Sequence, residues 1–316
     1  MNLSSESLVE FILHCEIDAQ QKSYTTPILM MIYLVTLFGN FLVILVILTN
    51  HHLQKPMYIC IATLAVIDLL NSTNLIPKIV AVLLDSVAIT YGACFVQMLL
   101  VLYLEGVESL LLALMACDRF VAVVFPLRYP SLVTNKVIRN VIIFLHFVMV
   151  IFVMPYIIYM MDLAFCKSNV LNYCFCDYIT MVKIACNEDP KYLIILPITC
   201  IILGVCPFAF IVLSYMIIAY AALKISSVDG KRKAFNTIST HLLVVGLFHV
   251  PLLTSYILTG TGVKLSTEAY NTMVIVGNIV PPMLNPLIYS FRNKEIKNSI
   301  YRFFKGTKTT PEINHH

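Results

Sequence analysis

Three kinds of residue in this chain of 316 amino acids could do chemistry, and each stands within or beside a long apolar run. The first are the acids Asp68, Glu105 and Glu108. A carboxylate deep in an apolar helix is costly unless it is paired or protonated, so these positions ask for a partner. The second is the pair Asp118-Arg119. Neighbours in sequence do not share a helix face, so Arg119 bonds Asp118 only by folding sideways, or turns to a partner elsewhere such as Tyr215. An arginine with one local and one remote partner has the chemistry of a switch. The third are the ten cysteines. Cys60, Cys117, Cys200 and Cys206 fall in apolar runs and read as small apolar side chains. Cys15, Cys94, Cys166, Cys174, Cys176 and Cys186 fall in or beside polar segments, where an oxidising exterior makes disulfides. Spacing alone does not give their pairing, and zinc is the weaker competing chemistry for the same thiols. No nucleophile with a base and an orienting group occurs, and no phosphate-binding loop. Catalysis, a cofactor and a resident metal are therefore not expected.

The elements that hold these residues follow from composition. The chain is 59% hydrophobic and 12% charged, whereas soluble domains carry about 25% charged residues. A membrane helix needs roughly 20 mostly apolar residues. Seven such runs stand at about 27–49, 57–84, 93–117, 138–160, 193–223, 234–259 and 269–290. This predicts an all-α membrane protein, a bundle of seven transmembrane helices. It divides the chain into an N-terminal segment (1–26), the bundle (27–290) and a tail (291–316). No tryptophan is present, so interfacial aromatic anchors must be drawn from 17 tyrosines and 18 phenylalanines. With the N-terminus outside, only Lys22, Lys78, Lys167, Lys183, Lys191 and Lys264 of the 21 basic residues lie on the outer side. Positive charge on inner loops sets orientation, so the N-terminus is expected outside and the tail inside, in the plasma membrane. The first residues lack a basic start and an apolar core, so no cleaved signal peptide is expected. Asn2-Leu3-Ser4 then becomes a glycosylation sequon. Net charge is +4, which argues for no nucleic-acid partner; lipid is the expected surroundings.

Within the spans, Gly39-Asn40 pairs a close-approach residue with an amide that can bond across helices. Asn40, Asp68, Glu108 and Asn285 could form one polar centre, or simply a protonated packing network. Pro197, Pro207 and Pro251 each free a backbone carbonyl and bend a helix. In the last span, Pro286 breaks the ladder, Asn285 supplies a polar partner, and Tyr289 is free to swing. Beyond it, Ile296, Ile300, Phe303 and Phe304 recur at helical spacing among Lys297, Arg302 and Lys305. That pattern is a short amphipathic eighth helix on the inner leaflet.

Four motifs then resemble one family in register. They are Pro56-Met57-Tyr58 with Leu64-Ala65 and Asp68-Leu69; Met115-Ala116-Cys117-Asp118-Arg119-Phe120-Val121-Ala122 with Pro126-Leu127-Arg128-Tyr129; Lys233-Ala234-Phe235 with Thr240-His241-Leu242; and Leu284-Asn285-Pro286-Leu287-Ile288-Tyr289-Ser290 with Arg292-Asn293-Lys294-Glu295. In the third, Asn236 and Ile238 replace the usual small residues. The chain is similar to vertebrate olfactory receptors, in the rhodopsin-like G-protein-coupled class, with a looser likeness to the fish-like branch in Pro251 and Pro281-Pro282. The resemblance implies a receptor that binds a small odorant in its bundle and activates a stimulatory G protein, raising cyclic AMP. It implies a ligand cavity among the third, fifth, sixth and seventh spans. On the third span this means Met98, Val101, Leu102, Glu105, Gly106 and Ser109. On the others it means Thr199 and Leu203, then His249, Leu253 and Tyr256, then Val276 and Asn278. It gives Asp118, Arg119, Tyr215, Asn285, Pro286 and Tyr289 to the activation switch, and a sodium ion to the polar centre. It implies the bridges Cys94–Cys176 and Cys166–Cys186, leaving Cys174 surplus.

Two other classes remain beside this. A chemoreceptor for amines or peptides on the same fold is kept alive by Glu105, which could meet a cation or could be a neutral acid bonded to a neighbouring helix. A transporter or channel would also have many spans, but it should show repeats or paired broken helices, and none is seen. No Lys or Arg lies in the cavity halves of the last three spans, so a carboxylate ligand lacks an anchor.

Overall fold

The computed structural model describes residues 10–15, 19–166, 168–187, 189–260 and 266–305. Seven of the described helices are long and apolar enough to cross a membrane. They are α1 (Ala19–Thr49), α2 (Pro56–Leu83), α3 (Tyr91–Val124), α5 (Asn135–Asp162), the rod of α7 (Lys191–Thr199), a π-helical turn (Cys200–Val205) and α8 (Cys206–Leu223), then α9 (Val228–Gly260) and α10 (Thr267–Arg292). The short helices are α4 (Tyr129–Leu132), α6 (Tyr178–Ile184) and the amphipathic α11 (Lys294–Lys305). The expected seven-helix bundle is thus present, and the chain is a multi-pass membrane protein.

At three of the spans a polar cap sets where the helix begins. Thr90, Thr134 and Ser266 each accept a backbone N–H of the first turn, at the starts of α3, α5 and α10. At its other end α3 continues to Val124, so Asp118-Arg119 lies inside the helix rather than at its end. The outward faces stay apolar. Phe38 and Phe41 on α1 and Ile143, Phe144 and Phe147 on α5 are all more than 60% exposed. Such a surface has no solvent but lipid. Inward, Leu64, Leu111, Leu112, Met115 and Val244 fill the core.

Prolines set the interhelical polar bonds. Pro286 brings no N–H to the carbonyl of Pro282 four residues earlier, and the Asn40 amide donates to that carbonyl at 2.9 Å. A Cβ on Gly39 would stand 2.9 Å from the Pro286 ring, so only glycine lets α1 approach this closely. Asn40 also donates to the Thr36 carbonyl. It therefore repairs the proline break in α10 and does not bond Asp68 or Glu108, correcting its expected place in the polar centre. Pro207 likewise leaves the Leu203 carbonyl without its α-helical donor, and Ser109 Oγ on α3 donates to it.

The expected all-α bundle carries one small addition outside its helices. A three-stranded sheet, in the order β2-β1-β3, covers one end of the bundle. Strand β1 (Glu10–Leu13) pairs antiparallel with β2 (Ala88–Thr90), Phe11 opposite Ile89, and parallel with β3 (Val170–Leu171), Leu13 opposite Leu171. Phe11 and Leu13 point into the bundle and are fully buried, Phe11 beside the rings of Tyr91 and Phe165. Four residues of alternation are too few to declare a strand. This one exists because two loops offer it edges on both sides. The N-terminal segment is thus, over residues 10–15, part of the folded cap.

Candidate functional site

Beneath this cap, between α3, α5, α7, α9, α10 and the loop residues Phe175, Cys176 and Asp177, lies a cavity of two adjoining lobes. Met98, Val101, Leu102, Glu105 and Asn278 line the lobe nearer the cap. Leu102, Glu105, Gly106, Thr199, Leu203 and Leu253 line the deeper one. Glu105 and Leu102 belong to both, so Glu105 stands at the waist. Asn278 lines the lobe nearer the cap; its amide nitrogen donates to the Val274 carbonyl at 3.1 Å and its oxygen accepts from Asn71 at 3.1 Å. A Cβ on Gly106 would collide with the end of Met149, so the glycine here sets the close packing of α3 on α5.

Three expected lining residues stand elsewhere. Ser109 and His249 are buried below the cavity floor, joined Oγ to Nε2 at 3.2 Å. The Ser109 hydroxyl donates to the Leu203 carbonyl, and on the other side of the ring His249 Nδ1 faces the Val245 carbonyl at 3.2 Å. Val276 is 43% exposed on the outer face of α10. Residues 276 and 278 are two apart and cannot face the same way on one helix, so choosing Asn278 excludes Val276. The side chain of Tyr256 lies outside the described residues, as do Asn2 and Lys264.

The cavity also has walls the sequence reading missed. Phe175 and Asp177 reach it from the long loop, Tyr270, Val274 and Gly277 from α10, and Tyr156 from α5. The signal for the first two was present, because a Cys94–Cys176 bond must hang the flanking residues beside Met98, one turn along α3. Burial pushes the Asp177 carboxyl above the usual range, while hydrogen bonds from Thr180 pull it back. Thr180 Oγ1 donates to its Oδ2 at 3.3 Å. Among the described lining residues of both lobes there is no Lys, Arg or His.

Disulfides fasten the cap over the mouth. Cys94 bonds Cys176 and Cys166 bonds Cys186. Cys174, left surplus by that pairing, bonds Cys15 beside β1 and so ties the N-terminal strand to the loop. Gln97 on α3 adds a polar tie, its Oε1 accepting from the Cys176 N–H at 2.9 Å.

Toward the other end, Asn285 on α10 donates to both carboxylate oxygens of Asp68, at 3.1 and 3.3 Å. Glu108 is buried close enough to feel the Asp68 charge, and its Oε1 has no protein partner among the described residues, nor has Asn285 Oδ1. Further along, Arg119 folds sideways onto Asp118, Nη2 to Oδ2 at 3.0 Å, while Tyr129 donates to Oδ1 at 2.9 Å. Burial, and then the Asp118 charge, push the Tyr129 phenol above its usual range, so it stays a donor. Tyr215 is not bonded to Arg119. Its ring stacks on His241, centroids 6.1 Å apart, and the Tyr289 ring meets His241 edge-on at 6.2 Å. The hydroxyls of Tyr215 and Tyr289 and both His241 nitrogens are buried without protein partners among the described residues. His241 belongs to this cluster, although the sequence reading used it only as part of a motif.

The olfactory receptor family model matches residues 29–307. Olfactory receptor 1 of Rattus norvegicus is 34% identical over 273 residues, 86% of each chain. Olfactory receptor 7D4 of Homo sapiens is 32% identical over 314 residues, 98% of this chain and 100% of the relative. Olfactory receptor 8H1 of Homo sapiens is 34% identical over 300 residues, 95% of this chain and 96% of its own. A match running from the first span through α11, with the cavity at one end of the bundle and the arginine cluster at the other, makes this chain a receptor and not an enzyme: it belongs to the olfactory receptor family.

Proposed function

We propose that an odorant enters the two-lobed cavity and that α10 carries the signal to Arg119, which then admits a stimulatory G protein and raises cyclic AMP. The single observation behind this reading is that α10 touches the cavity, the Asp68 centre and the His241 cluster. Asn278 lines the cavity, Asn285 bonds Asp68, and Tyr289 packs on His241 beside Tyr215. Pro281, Pro282 and Pro286 break its hydrogen-bond ladder between Asn278 and Tyr289. A helix weakened in this way bends rather than transmits a push rigidly. Arg119, held by Asp118, is then released toward the polar groups of Tyr215 and His241, which have no protein partners among the described residues. The capped end faces outside the plasma membrane, in keeping with the distribution of basic residues and with the disulfides there. The oxygens of Asp68, Glu108 and Asn285 also suit a sodium ion, which would supply the counter-charge the protein omits and bias the resting state. Arg119→Ala tests the coupling: cyclic-AMP signalling should vanish at normal surface expression.

A further inference from the structure

Resting on the ligand-binding reading above, the cavity also carries the chemical class of its ligand. Its lobes share Glu105, whose surface opens into the cavity rather than into the packed core. A carboxylate only accepts, so its oxygens can take a donor on a guest. Asp177 adds a second carboxyl to the lobe nearer the cap. It keeps a hydrogen bond from Thr180 within its own turn, so it acts as a source of field rather than as the anchor. Tyr270 and Phe175 offer ring faces in the same lobe, which also attract a cation. The deeper lobe is different: Leu203, Leu253, Leu196 and Tyr156 make it mainly apolar.

No described lining residue brings positive charge, so a guest of opposite sign gains in a medium where attraction is poorly screened. A carboxylate meets two acids and no cation. A neutral alcohol can bond Glu105 but gains nothing from Asp177. We infer that the receptor recognises organic amines, the ammonium held at Glu105 under the field of Asp177 and a short apolar tail filling the deeper lobe.

The test compares an alkylamine, the alcohol and the carboxylic acid of one carbon skeleton. Two readouts run side by side: the rise in unfolding temperature of detergent-solubilised receptor, and cyclic AMP in cells. The amine should be the strongest ligand by both. Glu105→Gln should weaken it at least about tenfold, roughly 1.4 kcal/mol, with the alcohol changed much less. Asp177→Asn should weaken the amine by a smaller factor. Should Glu105→Gln fail to fold, the comparison of ligands on the unmodified receptor decides. The inference is overturned if the acid or the alcohol binds best, if no amine binds up to about 1 mM, or if folded Glu105→Gln leaves amine affinity unchanged. Amine binding with no cyclic-AMP response would uphold the ligand class and instead overturn the coupling reading.

Discussion

A single amide shows how residue chemistry holds this fold. Asn40 donates to the Pro282 carbonyl that Pro286 leaves open, across the α1–α10 contact. Removing the amide while the carbonyl stays buried costs about 1–3 kcal/mol. Asn40→Ala should therefore lower the unfolding temperature of the solubilised receptor. In a Pro286→Ala background, where an N–H is restored to the ladder, the same substitution should cost clearly less. Equal losses in both backgrounds would show that Asn40 acts through packing alone. The sequence held both residues but not their meeting, since a proline announces a free carbonyl without saying which helix supplies the donor. Glu105 was legible because an acid in an apolar run is conspicuous. Tyr270 and Val274 were not, because aromatic and aliphatic residues in a membrane helix look alike whether they face a cavity, a neighbour or lipid. Val276 was misplaced for that reason.

At the scale of elements, long apolar runs announced all seven spans, since a helix is the one element that satisfies its own backbone in lipid. The sheet gave no such signal. Its strands come from residues 10–13, 88–90 and 170–171, and each is stable only against the others. The Cys15–Cys174 bond closes this unit, joining positions 159 residues apart. Cys15→Ser and Cys174→Ser should reduce surface delivery to the same degree. The double variant should match either single one, because one bond cannot be lost twice. The same test applies to Cys94 and Cys176, where the loss should be larger, since that bond hangs Phe175 and Asp177 over the cavity. Additive losses in either pair would mean that its two cysteines act separately.

The whole molecule carries a cavity under a disulfide-bound cap at one end and Asp118-Arg119 at the other. The orientation proposed from the basic residues makes a direct prediction. A tag at residue 1 should be reached by antibody on intact cells, and a tag after residue 316 only after permeabilisation; the reverse staining would invert the assignment. The family was legible from four motifs because they sit at fixed mechanical points of the bundle. Of the two carboxyls behind the proposed amine specificity only Glu105 was legible, because Asp177 joins the cavity through the fold of a loop. The central claim is that binding at Glu105 and signalling at Arg119 are separate events joined through α10. It is tested most directly by measuring ligand binding and cyclic AMP together, in the unmodified receptor and in Arg119→Ala at matched surface expression. The account predicts that Arg119→Ala binds the best ligand of the amine, alcohol and acid series with affinity within a few-fold of normal and raises no cyclic AMP. A well-expressed Arg119→Ala receptor that signals in full would contradict it.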